Sequence, residues 1–384
     1  MFWLHLHRRP SPIIYLLMTA SHFSPFKLRS VEFSNRIGVS PMCQYSSADG
    51  FANDWHLVHL GSRAQGGAGL VMTEATAVLA DGRISPEDLG IWKNEHVARL
   101  KQIVEFVHTQ GARAGIQLAH AGRKASTYAP GLGNGEVKAG DGGWQAVAPS
   151  AVAFSPDYPM PVALDQAGIA AVVEGFRNAA RRSLDAGFDV VEIHAAHGYL
   201  LHQFLSPLAN QRTDDYGGSF ENRVRLTVEV ADAVRSVWPE KFPLFVRISA
   251  TDWAEGGWTT DDSVKLAALL RGRGVDLMDV SSGGLVSNAK MQIGPGYQVG
   301  FSARIRSEAG IATAAVGLIT ESEQANDIVA QGEADMVMLA RAMLRDPYWP
   351  AHAAATLGVK MGWPKQYLRA APEGSTARIE VKRA

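Results

Sequence analysis

The 384-residue chain has a single cysteine, Cys43. One thiol excludes an internal disulfide, a four-cysteine zinc site and a four-thiolate iron–sulfur cluster. Net charge is nearly absent: 37 Lys+Arg against 38 Asp+Glu leave −1. No bulk field therefore draws the chain to nucleic acid or to an anionic membrane. Long apolar runs are missing as well. Those in the opening MFWLHLHRRPSPIIYLLM are broken by His5, His7, Arg8, Arg9, Pro10 and Pro12, and they fall short of the about 20 residues that a membrane span needs. The same stretch lacks the order of a secretory signal, in which charge precedes an unbroken apolar run. It reads as a non-native or disordered extension over 1–17, with the chain proper opening near Met18 and a cytoplasmic location. What is present is an ordinary globular mix, 46% hydrophobic and 20% charged, which argues against disorder.

Eight short β-branched or apolar runs alternate with helix-period segments: 37–42, 70–78, 112–120, 188–196, 243–250, 277–284, 312–319 and 335–342. Between them lie amphipathic stretches such as EHVARLKQIVEFVHTQG and QAGIAAVVEGFRNAARRSLDAG. These close on Gly111 and Gly187, a helix C-cap signal. Strand–helix alternation predicts right-handed βαβ units and a parallel sheet, and eight units close naturally into a (β/α)8 TIM barrel. An open doubly wound sheet is the alternative. It carries a Gly-rich phosphate turn after its first strand. The nearest match here, GLGNGE at 131–136, lies in a loop without the third glycine. The fold class is therefore an α/β barrel in a single domain. Residues 123–164, rich in Gly and Pro, form a long insertion after strand 3 over the barrel top. Residues 372–384 mix small and charged side chains without period and read as a loose tail.

Barrel active sites lie at the C-terminal ends of the strands. Strand 1 ends in Ser40-Pro41-Met42-Cys43, followed by Tyr45. Later strand ends offer Glu74 and Ala75, Gln117 and His120, Glu192 and His194, Arg247, Gly317, and Ala340-Arg341. Gly317 and Arg341 stand where many barrels bind phosphate, one allowing close backbone approach and the other supplying a charged fork. His194, His197 and Tyr199 admit three readings. Two histidines with Glu192 could ligate a metal. They could be a packing and capping pair. Or two neutral imidazoles could donate to one carbonyl oxygen, with Tyr199 as an acid.

These segments resemble the old yellow enzyme family of FMN-dependent ene-reductases, over about Phe26 to Arg369. The resemblance rests on NRIGVSPMCQYSS (35–47), MTEATAV (72–78), GIQLAHAGRKA (115–125), GFDVVEIHAAHGYLLHQFLSPLANQRTDDYGGSFENR (187–223), PLFVRISATDW (243–253), AVGLI (315–319) and ARAMLRDPYW (340–349). It is nearest the thermophilic-like bacterial subclass of NADPH dehydrogenases and xenobiotic reductases. His197 stands where larger members have Asn, and Cys43 where they have Thr. The single cysteine removes the family branch that carries an iron–sulfur cluster.

The resemblance implies tightly bound, non-covalent FMN across the barrel top and NADPH as hydride donor. It implies the flavin phosphate at Gly317, Ala340 and Arg341, the pyrimidine side at Gln117 and Arg247, and Ser40, Pro41, Met42, Cys43 and Ala75 along the ring. His194 and His197 would grip the substrate carbonyl, Tyr199 would donate the proton, and Tyr45 would contact substrate. Arg369, in QYLRAAP, matches an arginine that reaches a neighbouring subunit's site, which implies a homodimer or homotetramer. The expected reaction reduces the C=C bond of α,β-unsaturated carbonyl compounds, and nitro compounds, with no metal. A metal- or Schiff-base-dependent lyase, or a non-catalytic flavin-binding barrel, are the rival functions.

Overall fold

The computed structural model describes residues 21–383; the extension expected over 1–17 lies outside the described residues. The described chain closes an eight-stranded parallel barrel. Its strands are β1 (Ile37–Val39), β2 (Leu70–Ala77), β3 (Arg113–Ala119), β4 (Val190–Ala195), β5 (Leu244–Ser249), β6 (Leu277–Ser281), β7 (Ala312–Ala315) and β8 (Met336–Leu339). Closure is direct: Val337 of β8 registers with Ile37 of β1. Strands buried on both faces read as continuous apolar runs, which is why the sequence shows them so clearly. An antiparallel hairpin, Phe26–Leu28 with Val31–Phe33, precedes β1 and buries Val31 and Phe33.

The helices follow the strands in turn: α1 (Asp54–Gly66), α2 (Val97–Thr109), α3 (Gln166–Ala186), α4 (Leu200–Leu205), α5 (Phe220–Arg235), α6 (Thr260–Arg271), α7 (Val299–Ala309), α8 (Ser322–Ala330), α9 (Arg341–Arg345) and α10 (Trp349–Thr356). Helix α3 starts where the Asp165 side chain accepts from Gly168 N–H, and it ends at Gly187 in the left-handed region. Such ends satisfy the free backbone groups of the terminal turns. The segment 123–164 carries only short elements, among them a 3-10 turn at Ala139–Asp141 and the two-residue strands Val147–Ala148 and Val162–Ala163, which pair. Its Ala125 and Ala146 pack under Tyr199, so the insertion roofs the barrel top.

Within the stretch expected as a loose tail, residues 372–383 are irregular and mostly exposed but make specific contacts. Ala377 bridges to Trp363, and Val381 N–H donates to the His108 carbonyl at 3.1 Å. Arg378 donates to the carbonyls of Ala64 (2.7 Å), Gln65 (3.0 Å) and Gln110 (3.2 Å), just where α1 and α2 end. A cation there meets unpaired carbonyls and the negative end of the helix dipole. This stretch is held by backbone bonds and by guanidiniums, Arg378 together with Arg113, which donates to the Lys382 carbonyl at 2.9 Å, so it shows no hydrophobic period.

Candidate active site

Residues paired across parallel strands face the same side of the sheet. Gln117 on β3 registers with Glu192 on β4, His194 on β4 with Arg247 on β5, and Arg247 with Asp279 on β6. These five polar side chains ring the upper barrel interior, none more than 5% exposed. Gln117 Nε2 donates to Glu192 Oε1 at 2.8 Å, and Arg247 Nε stands 3.4 Å from Asp279 Oδ2.

Above this ring the chain reverses at His197 (φ 58°) and Gly198 (φ 74°). A Cβ on Gly198 would lie 2.2 Å from the Gly284 carbonyl oxygen, so only glycine fits. A left-handed histidine costs roughly 1–2 kcal/mol, and four hydrogen bonds hold it. His197 N–H donates to Ser249 Oγ at 2.9 Å, and His197 Nε2 meets Ser281 Oγ at 2.7 Å. Lys124 Nζ donates to the His197 carbonyl at 2.8 Å, and Gly198 N–H donates to His202 Nδ1 at 2.9 Å. His202 is itself backed by Asp252, 2.8 Å from its Nε2.

The turn assembles the trio. The His194 ring lies edge-to-face with the His197 and Tyr199 rings, at 5.1 Å between centroids in each case. Burial, reinforced by the Arg247 charge, holds both imidazoles neutral, well below their ordinary value. Burial pushes the Tyr199 hydroxyl well up, with Cys43 and Tyr45 adding to it. The result is two neutral imidazoles and a phenol that keeps its proton. Among the described residues no group of three metal-ligating side chains is placed to hold an ion; Glu192 is engaged with Gln117 instead.

The wall from β1 and β2 brings Ser40, Pro41, Met42, Cys43, Tyr45 and Ala75 together. Burial, with the charges of Asp88 and Glu74, pushes the Cys43 thiol up. Cys43 therefore stays a thiol at neutral pH, which disfavours a thiolate nucleophile. On the opposite side, after β7 and β8, lies a cavity of about 240 Å³ lined by Ser281, Tyr297, Gln298, Gly317, Ala340 and Arg341. A Cβ on Gly317 (φ 120°) would crowd its lining, coming within 2.7 Å of Gln298 Nε2 and 2.9 Å of Tyr297 Cε1. Backbone bared by glycine beside a guanidinium suits a phosphate. Ser40 Oγ, His194 Nδ1 and Arg247 Nε are buried without hydrogen-bond partners among the described residues. The bared cradle, the cation and the orphaned donors together fit a flavin mononucleotide.

Fold and site define a flavin-dependent oxidoreductase on a TIM barrel. The profile of the NADH:flavin oxidoreductase / NADH oxidase family matches residues 21–359. The chain is 50% identical over 349 residues to an NADPH dehydrogenase of Geobacillus sp. (strain WCH70), covering 90% of this chain and 97% of that protein. It is 50% identical over 350 residues to an NADPH dehydrogenase of Listeria innocua serovar 6a, covering 91% and 98%. Among solved structures, morphinone reductase superposes with a TM-score of 0.75 at 29% identity, over 90% of this chain and 92% of that one. Morphinone reductase has also been solved in complex with tetrahydroNAD. The chain belongs to the NADH:flavin oxidoreductase / NADH oxidase family, and it is an FMN-dependent oxidoreductase.

Arg369 is not brought to the site. It is exposed on the segment after α10. The strand ends offered no lysine, yet the turn after β3 delivers one. Burial beside Arg123 lowers Lys124 to about 7, but its Nζ is committed to the carbonyls of His197 and Gly284. Sequence reading also missed Ser281, Gln298 and Asp279. Their signal lies in strand register, which spacing within one segment does not carry.

Proposed function

We propose that the chain reduces the activated C=C bond of α,β-unsaturated carbonyl compounds, and nitro compounds, with NADPH as hydride donor. The observation that carries this reading is the trio: two neutral imidazoles and a protonated phenol, with the His194 ring 5.1 Å by centroid from each of the other two, over a buried guanidinium. FMN supplies the hydride relay between nicotinamide and alkene. Gly317, Ala340 and Arg341 hold its phosphate, Gln117 and Arg247 its pyrimidine side, and Ser40, Pro41, Met42, Cys43 and Ala75 line its ring. His194 and His197 donate to the substrate carbonyl oxygen, where negative charge develops. Tyr199 delivers its proton to the α-carbon. Tyr45 contacts substrate from the β1 side, and Arg369 does so from a second copy in a homodimer or homotetramer. The relatives' names and the nicotinamide analogue bound to morphinone reductase support the hydride donor. We place the protein in the cytoplasm: its one cysteine is a free thiol, and no described helix is long and apolar enough to cross a membrane.

The test is an anaerobic titration of the yellow protein. NADPH should bleach the flavin band, and a cyclic enone should restore it with formation of the saturated ketone. Bleaching that no enone or nitro compound reverses would sink the substrate assignment and leave the oxidoreductase class standing.

A further inference from the structure

Beneath the trio lies a buried acid pair that the proposed chemistry leaves unused. Glu192 and Asp279 are fully buried and Arg247 is 5% exposed. Two carboxyls thus face one guanidinium. Written as carboxylates, Glu192 Oε2 and both Asp279 oxygens have no hydrogen-bond donor among the described residues, and Arg247 Nε has no aligned acceptor there. Among the described residues, of the four carboxyl oxygens only Glu192 Oε1 receives a bond, from Gln117. The two carboxyls lie within hydrogen-bonding contact of each other, and a single proton between them supplies the missing donor. Leaving both ionised would cost far more, since buried like charges at contact repel strongly. Among the described residues, Arg247 is the opposite charge that acts on both. His194, on the same strand, is held neutral. The neighbouring registers are Ala314 on β7, Met336 on β8, and Gly38 on β1 facing Met338.

We propose that Glu192 and Asp279 share one proton, and that this proton sets the net charge that the barrel floor presents to the flavin through Arg247. The second half rests on the placement of the pyrimidine side at Arg247 given above. With the proton in place the cluster holds one carboxylate and one guanidinium and is neutral. When the proton leaves to solvent the cluster carries −1, and adding electrons to the flavin above it becomes harder. Reduction at alkaline pH then draws the proton back from solvent onto the pair. Burial next to Asp279 pushes the Glu192 carboxyl up to about 8, so the change falls in the mildly alkaline range.

Two measurements test this. Infrared spectra of the apoprotein should show the carbonyl stretch of a buried protonated carboxyl, fading as pH rises through about 8 and missing in E192Q and D279N. In the holoprotein, the flavin midpoint potential should fall more steeply with pH in wild type than in E192Q across the same range. E192Q can keep the Gln117 bond and give Asp279 an N–H donor, which fixes the neutral state. D279N serves if E192Q does not fold, and the wild-type infrared titration needs no variant. Absence of the band in wild type overturns the shared proton. A potential that runs parallel in wild type and variants overturns its coupling to the flavin. An apoprotein that takes up no FMN would refute the flavin placement instead, with the infrared band still deciding the shared proton.

Discussion

Gly317→Ala should weaken FMN binding strongly, because two separate costs fall on one methyl group. The first is conformational. At φ 120° an L side chain is strained, which costs about 1–3 kcal/mol. The second is displacement. The new Cβ would press on Gln298 Nε2 at 2.7 Å, and that nitrogen donates to the Val316 carbonyl at 2.8 Å. Losing one such bond costs about 0.5–1.5 kcal/mol. Free of ligand, the cradle can relax and relieve both; FMN binding must restore it. A combined cost of about 2–4 kcal/mol then appears as a roughly 30- to 700-fold higher Kd. Gln298 Oε1 also accepts from Ser282 Oγ at 2.6 Å and Ser281 Oγ at 3.4 Å, and Ser281 bonds His197. The enone KM should therefore rise as well. The assay is titration of apoprotein with FMN, followed by flavin fluorescence quenching. An unchanged Kd at unchanged thermal stability would refute the cradle argument.

Tyr199→Phe should slow alkene reduction by about 10²- to 10⁴-fold, while flavin reduction by NADPH changes little; equal loss in both stopped-flow half-reactions would remove Tyr199 from proton donation. Because burial keeps His194 and His197 neutral well below their ordinary value, both are already uncharged throughout the neutral range and charge only in acid. The enone KM should accordingly stay flat as pH falls through about 6.5, the ordinary imidazole value; an inflection there would show a clamp that titrates. Arg378→Ala removes a charged donor from the carbonyls ending α1, a loss of about 1.5–3 kcal/mol, and should lower the thermal midpoint by several degrees with FMN affinity unchanged. An unshifted midpoint would show that the tail contributes nothing to the fold.

The barrel was legible because each strand is an apolar run punctuated by helix caps. The expected strands ran long at their C-terminal ends: 277–284 against Leu277–Ser281, and 335–342 against Met336–Leu339. The excess residues leave the ladder to build the site. Ser282 turns to meet Gln298, and Ala340 and Arg341 turn into the phosphate-sized cavity. Sequence period cannot separate such residues from the strands they extend. The trio was legible as a cluster within six residues of chain. Its supports were not, because Ser249, Ser281 and Lys124 reach His197 from 52, 84 and 73 residues away. Closure of the barrel alone makes them neighbours.

For the reaction we propose, that closure also gives the site a way to bind developing negative charge without a cation at the reacting centre. Cations close to the trio are suppressed by burial: both imidazoles are neutral, and Lys124 falls to about 7 with its donors spent on two carbonyls. The fixed positive charge on the barrel floor is Arg247, and Asp279 stands 3.4 Å from it. A full cation beside the carbonyl clamp would bind anions in the resting state and would be costly to bury alone. Neutral N–H donors bind a carbonyl oxygen weakly at first and more strongly as charge builds on it, which is the differential that lowers a barrier. The charge that the floor does present is then adjustable by a single proton, held by Glu192 and Asp279 one layer below the chemistry.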